Sequence, residues 1–270
     1  MFNSPSILQE TDFRTQKGIW KVKIKKILVS QPAPADIEKT PYGSLSKKYK
    51  VKVDFKKFIK IEGITASEFR KDKVYIQDHT AIILTSRKAV DHFFRIAKEM
   101  RVEIPDTMKY FCISEATAFY LQKYVQYRKR KIFSGKQNFQ DLLEIIKKHK
   151  SEKFLLPCSD IHKLSIIKLL DANEIDYSKA IIYTTIASDL SDVEVEAYDL
   201  LVFFSPAGVK SLFNNFPDFK QNHTLIGAFG PTTSKAVKDA GLKIDIPAPT
   251  KTALSMTMAI EQYLEKVNKR

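Results

Sequence analysis

Serine and threonine recur in this chain at one kind of place, directly after a short apolar run and at the start of a stretch with helical spacing. Thr85 and Ser86 follow Ala81-Ile82-Ile83-Leu84, and Ser114 and Thr117 follow Tyr110-Phe111-Cys112-Ile113. Ser205 follows the run from Leu200 to Phe204, and Thr232 with Thr233 follow Leu225 to Phe229 and a Gly-Pro pair. A helix start presents unpaired backbone N–H groups and a partial positive charge. Carboxylates and phosphates bind there readily. In open α/β sheets ligands lie beyond the carboxyl ends of the strands, so several such starts could surround a polyanion. Singly, Ser and Thr at these positions are ordinary helix caps. Their repetition at equivalent strand ends is what points to a site.

Other chemistries lack their residues. The five histidines, His79, His92, His149, His162 and His223, form no HExxH and stand at no metal-ligand spacing with Cys or carboxylate. His92 lies in an amphipathic stretch and reads as a core or surface histidine. The two cysteines, Cys112 and Cys158, make no CxxC pair and read as buried thiols. There is no GxSxG elbow, Walker A loop or GxGxxG after a strand. A net charge of +14, from 45 Lys+Arg against 31 Asp+Glu, attracts anions without choosing among them. Much of it is lysine on helix surfaces, such as Lys147, Lys148 and Lys150.

The elements that position the hydroxyls follow from the same runs. Continuous apolar runs, each leading through a turn into an amphipathic stretch, are the mark of a parallel sheet with crossover helices. Two halves echo each other: Leu84-Thr85-Ser86 with Ala89-Val90 resembles Phe204-Ser205-Pro206 with Gly208-Val209, and Ser114 to Thr117 resembles Gly230 to Thr233. The expectation is two similar parallel-sheet α/β domains joined by a two-stranded linker, with the working surface in the cleft between them. Val51-Lys52-Val53-Asp54-Phe55 alternates apolar with polar and reads as the outward crossing. The return crossing is placed at Ala180 to Thr185. The first domain is then discontinuous, residues 1–54 and 187–270, and the second covers 55–186. In the apolar run Phe154-Leu155-Leu156 a strand ends, and Pro157-Cys158-Ser159-Asp160 reads as its turn. Met1 to Gly18 is polar and lacks a secretory core, and no apolar run approaches the roughly 20 residues that span a bilayer. A cytoplasmic location is expected.

Certain segments resemble the uroporphyrinogen-III synthase family. Phe203-Phe204-Ser205-Pro206-Ala207-Gly208-Val209 is similar to its "FxSPSGV" segment, and Ile226 to Ala236, with Gly230-Pro231-Thr232-Thr233, to its "aIGpTTaxal" segment. Gly241-Leu242, Pro249-Thr250 and Leu254 resemble its closing segment. Upstream, Leu84 to Val90 resembles "fTSxnaV", Leu156-Pro157-Cys158-Ser159 the "lfpcg" turn, and Ile182-Tyr183-Thr184-Thr185 the "vYxt" crossing. Order and spacing match from about Lys25 onward. Departures from the family pattern fall at Gln31, where Arg is common, at Ser114 in place of Gly, and at Ala207 in place of Ser.

The resemblance implies a cofactor-independent cyclising hydro-lyase of haem biosynthesis. It closes hydroxymethylbilane, a linear tetrapyrrole polycarboxylate, to uroporphyrinogen III with the terminal pyrrole ring inverted. It implies Tyr183 as the proton donor. It places Thr85, Ser86, Lys88, Ser114, Thr117, Ser205, Ala207, Gly208, Thr232 and Thr233 against the substrate, with no metal. Hydroxymethylbilane synthase is the expected protein partner, and the expected state is a monomer free of nucleic acid and membrane. A catalytic triad is not required, because the substrate closes without help and the protein mainly holds it in one shape. The alternative is a non-catalytic anion- or tetrapyrrole-binding homologue on the same scaffold. A nucleic-acid reading, prompted by Tyr127-Arg128-Lys129-Arg130-Lys131, has no recognition motif to support it.

Overall fold

A computed structural model describes residues 22–136, 138–161 and 164–268. Met1 to Gly18 and His162 lie outside the described residues. Along the chain run β1 (Lys26–Val29), α1 (Pro41–Tyr49), β2 (Lys52–Phe55), β3 (Ile59–Gly63), α2 (Ala66–Lys71), β4 (Ala81–Leu84), α3 (Arg87–Glu99), β5 (Lys109–Cys112), α4 (Glu115–Leu121), β6 (Ile132–Ser134) and α5 (Phe139–Lys147). There follow β7 (Phe154–Ser159), α6 (Leu164–Ala172), β8 (Tyr177–Ala187), β9 (Leu200–Phe203), α7 (Pro206–Asn215), β10 (Leu225–Phe229), α8 (Pro231–Asp239), β11 (Ile246–Ala248) and α9 (Met256–Asn268). Contacts divide the chain into an outer unit, up to Lys60 and from Ala187 on, and an inner unit, Ile61–Ile186.

The outer unit is built on a five-stranded sheet in the order β11-β10-β9-β1-β2, with every pairing parallel. Side chains alternate across a strand, so the apolar runs feed two cores. Ile27, Val29, Leu200 and Val202 pack with Leu45 of α1 and Met256 and Ile260 of α9. Leu28, Leu201 and Phe203 pack on the other face with Val209 and Leu212 of α7 and Val237 of α8. Both faces are covered by helices, which is why these strands read as unbroken apolar runs.

The inner unit has six strands in the order β3-β8-β7-β4-β5-β6. The β4–β5, β4–β7, β5–β6 and β7–β8 pairings are parallel. Ile82 and Leu84 pack with Val90, Phe93 and Ile96 of α3. Ala81 and Ile83 face the opposite way, onto Leu142 and Ile146 of α5 and Leu170 of α6. Each such fully buried Leu, Ile or Phe contributes about 1.5–3 kcal/mol relative to exposure. From β6 to β8 this sheet reads β6-β5-β4-β7-β8, and the outer sheet reads β11-β10-β9-β1-β2. The echo between the halves is therefore an echo of strand order: β4, β5 and β6 correspond to β9, β10 and β11, and β7 and β8 to β1 and β2. The outer unit's last two strands in that order come first in the chain.

Two local readings of the sequence change. The alternating segment Val51 to Phe55 is not the outward crossing. It contains β2, the edge strand of the outer sheet, and an edge strand shows the same half-exposed pattern as a linker. The chain leaves through β3 and returns through β8, which are neighbours in the inner sheet. Pro157 does not end β7, which runs on to Ser159. β7 pairs with β4 only at Phe154 and Leu155, while its pairing with β8 continues to Ser159. Pro157 sits where one side of the strand is already unpaired, which is where a missing N–H is tolerated.

Candidate active site

Three helix starts are closed by the hydroxyls that the sequence placed there. Ser86 opens α3 and accepts from the Ala89 amide at 3.0 Å. Ser114 opens α4, accepting from the Thr117 amide at 3.4 Å, and its hydroxyl lies 3.2 Å from that of the buried Thr117. Ser205 opens α7 and accepts from the Gly208 amide at 3.1 Å. Each is worth about 1 kcal/mol as a cap. The start of α8 differs. Gly230 stands there at φ 86°, with Pro231 next and no side-chain cap. That φ suits glycine and strains other residues. Thr232 is exposed, whereas Thr233 is buried. Ala207 and the buried Gly208 lie in the first turn of α7, beside the end of β9, and Lys88 is exposed in the first turn of α3.

In the inner unit, a cavity of about 300 Å³ lies at the carboxyl ends of β4 and β7. Thr85, Ser86 and Tyr183 line it together with Ile113, Leu156, Cys158, Ser159 and Ile166. Lys88, Ser114 and Thr117 are not part of this lining. The apolar part of the lining includes Ile113, Leu156 and Ile166, and the polar groups are hydroxyls, a thiol and a phenol. Both cysteines are buried thiols, with Cys158 pushed up to about 11 and Cys112 to about 12 by burial.

Tyr183 reaches this cavity through an irregularity in β8. Cys158 of β7 pairs with Ile181, but Ser159 pairs with Tyr183, so β8 carries one extra residue at that point. Such a bulge re-aims the side chains beside it. In a regular strand Ile182 and Tyr183 would face opposite sides. Here both belong to the core cluster under α3.

The phenol has a defined environment. Burial raises its pKa, and the neighbouring Ser86 hydroxyl opposes that rise. The Ser86 oxygen already accepts the Ala89 amide, so its own hydrogen is available to Tyr183. Tyr183 can then accept from Ser86 while directing its own O–H into the cavity, and successive hydrogen bonds of this kind polarise one another. With its pKa raised from an ordinary value of 10.0, the phenol is protonated at neutral pH and is able to donate a hydrogen bond. Its ring is stacked on that of His92, with centroids 5.0 Å apart and planes 26° apart. The His92 pKa is lowered by burial first, then by Arg95 and Lys88.

Sequence reasoning missed Ser159, whose hydroxyl donates to the Ile161 carbonyl at 2.7 Å, and the part His92 plays beside Tyr183. No local motif marks either one. Among the described residues there is no group of His, Cys, Asp and Glu suited to a metal ion and no helix long and apolar enough to cross a membrane.

Comparison with known proteins places this architecture. The family model described as uroporphyrinogen-III synthase HemD matches residues 48–258. Among solved structures, the uroporphyrinogen-III synthetase of Helicobacter pylori is similar at 18% identity and a TM-score of 0.53, over 90% of this chain and 100% of that one. A mutant uroporphyrinogen III synthase of the extreme thermophile Thermus thermophilus matches at 14% identity and a TM-score of 0.47, over 90% of this chain and 99% of its own. No curated protein sequence matches. With its motifs in order and the family match running from within α1 into α9, the chain belongs to the uroporphyrinogen-III synthase family.

Proposed function

We propose that this chain is a cofactor-independent, cyclising hydro-lyase that converts hydroxymethylbilane to uroporphyrinogen III, with Tyr183 as the group that helps the substrate hydroxyl to leave. The observation that carries the assignment of Tyr183 is its setting: a phenol that the β8 bulge brings, together with Ser86, into the lining of the cavity at the carboxyl ends of β4 and β7. Tyr183 donates to the departing hydroxyl, which leaves as water, and the ring nitrogen gives up its N–H proton. The resulting electrophilic carbon is attacked by the substituted carbon of the terminal pyrrole. The spiro intermediate reopens and recloses with that ring inverted. General-acid help of this kind contributes about 10²–10⁴-fold.

The protein's other task is to hold the chain in the one shape that leads to inversion. The uncapped start of α8 and the hydroxyls at the other helix starts are suited to substrate carboxylates, and a net charge of +14 favours their capture.

The test is a coupled assay. Hydroxymethylbilane is generated in place by a deaminase, this protein is added, and the oxidised products are separated into type I and type III isomers. Type III product is expected, and Tyr183→Phe is expected to lower its rate at least about a hundredfold. Type I product alone, from folded protein, would overturn the enzyme reading in favour of a binding role. Unchanged type III formation by Tyr183→Phe would overturn the role of the tyrosine only.

A further inference from the structure

The bulge that turns Tyr183 into the cavity needs support, because the extra residue interrupts the regular ladder and its backbone groups still require partners. One side chain supplies it. Arg95 of α3 donates through Nη2 to the Ile182 carbonyl at 3.1 Å and to the Ile64 carbonyl at 2.8 Å. The Ile64 amide also donates to the Ile182 carbonyl at 3.3 Å. Through Nε, Arg95 donates to Nδ1 of His92 at 3.3 Å, and that ring is the one stacked on Tyr183. Nη1 is held by Glu99 at 2.6 Å.

Room for the guanidinium comes from Gly63 at the end of β3. A Cβ there would stand 2.5 Å from Nη2 and 2.6 Å from Cζ of Arg95. The planar fork can serve two carbonyls, an imidazole and a carboxylate at once, which a lysine cannot do.

We propose that Arg95 is a positioning residue for Tyr183, fixing the β8 bulge from one side and the His92 ring from the other so that the phenol points at the substrate. This rests on the reading of Tyr183 as the hydrogen-bond donor.

The experiment compares Arg95→Met, Arg95→Lys, Gly63→Ala, Tyr183→Phe and the double variant Tyr183→Phe/Arg95→Met in the isomer assay, with kcat and KM for type III product. A small misplacement of a catalytic group costs up to about 10²-fold in rate. Arg95→Met is therefore expected to lose about tenfold or more in kcat with KM within about twofold. Arg95→Lys should recover only part of this loss. Gly63→Ala should reproduce it with the arginine still present, and it carries the test if Arg95→Met does not fold. The double variant should be no slower than Tyr183→Phe, since the arginine acts through the tyrosine. Wild-type kcat in both Arg95→Met and Gly63→Ala, alongside an impaired Tyr183→Phe, would overturn the positioning role and leave the tyrosine's role standing. So would losses that multiply in the double variant. Full kcat in Tyr183→Phe would remove the tyrosine reading and the Arg95 proposal with it.

Discussion

Ser86 does two jobs with one hydroxyl, and a short series of substitutions separates them. Its oxygen caps α3 by accepting the Ala89 amide at 3.0 Å, and its hydrogen is left to turn towards Tyr183, whose pKa the same hydroxyl lowers. Alanine removes both. Losing the cap costs about 1 kcal/mol of stability. Losing a neutral hydrogen bond to the phenol costs about 1 kcal/mol in the step that uses it, or roughly fivefold in turnover. Aspartate keeps the cap, and its charge suits a helix N-terminus, so stability is expected to hold or rise. It cannot donate, however, and it would draw the phenol's hydrogen towards itself and away from the substrate. Its turnover should fall below that of the alanine variant. Threonine retains both functions and should behave like the parent. Urea denaturation reads the stability and isomer chromatography reads the turnover. An aspartate variant with parental turnover would refute the donor half of the argument, and an alanine variant as stable as the parent would refute the cap half.

Tyr42→Phe is expected to stabilise the outer unit by about 1 kcal/mol in a urea melt, because the Tyr42 hydroxyl is buried without a hydrogen-bond partner among the described residues. Its edge-on contact with Phe55, at 5.2 Å between centroids, needs only the ring; a loss of stability would mean that the hydroxyl has a partner. His92 should titrate below the usual histidine value in an NMR pH series, since burial, Arg95 and Lys88 all disfavour its proton. Folding then expels a proton, so its contribution to stability is whole above about pH 6.5 and is lost as the pH falls towards the lower folded value. His92→Gln should flatten that acid limb, and an unchanged slope would count against it.

Much of the fold is legible in the sequence because a parallel sheet covered on both faces leaves unbroken apolar runs. Ala81-Ile82-Ile83-Leu84 and Leu200-Leu201-Val202-Phe203 are buried at every position. The helix starts were legible for a related reason, since Ser86, Ser114 and Ser205 sit directly after such runs. Alternation misleads at Val51 to Phe55, where an edge strand and a crossing strand have the same half-exposed signature. The bulge in β8 left no trace, because Ile182 and Tyr183 are good strand residues in either register. Arg95 was equally hidden: an arginine on an amphipathic helix looks solvated until the carbonyls of residues 31 and 87 positions away are seen to meet it.

The permuted order of strands has a consequence for how the molecule is made. β1 lies between β2 and β9 in the outer sheet, yet the whole inner unit is translated between β2 and β9. When residue 187 clears the ribosome, every strand of the inner sheet has emerged, whereas β1 still lacks the neighbour on one of its two edges. Domains tend to fold as units during synthesis, so the inner unit is expected to close its core first, while the first strands of the outer unit wait as an incomplete template. Limited proteolysis of chains arrested soon after that point should spare residues 61–186 and cut within 26–55. Equal cleavage of both regions would show that the two units fold together only after release.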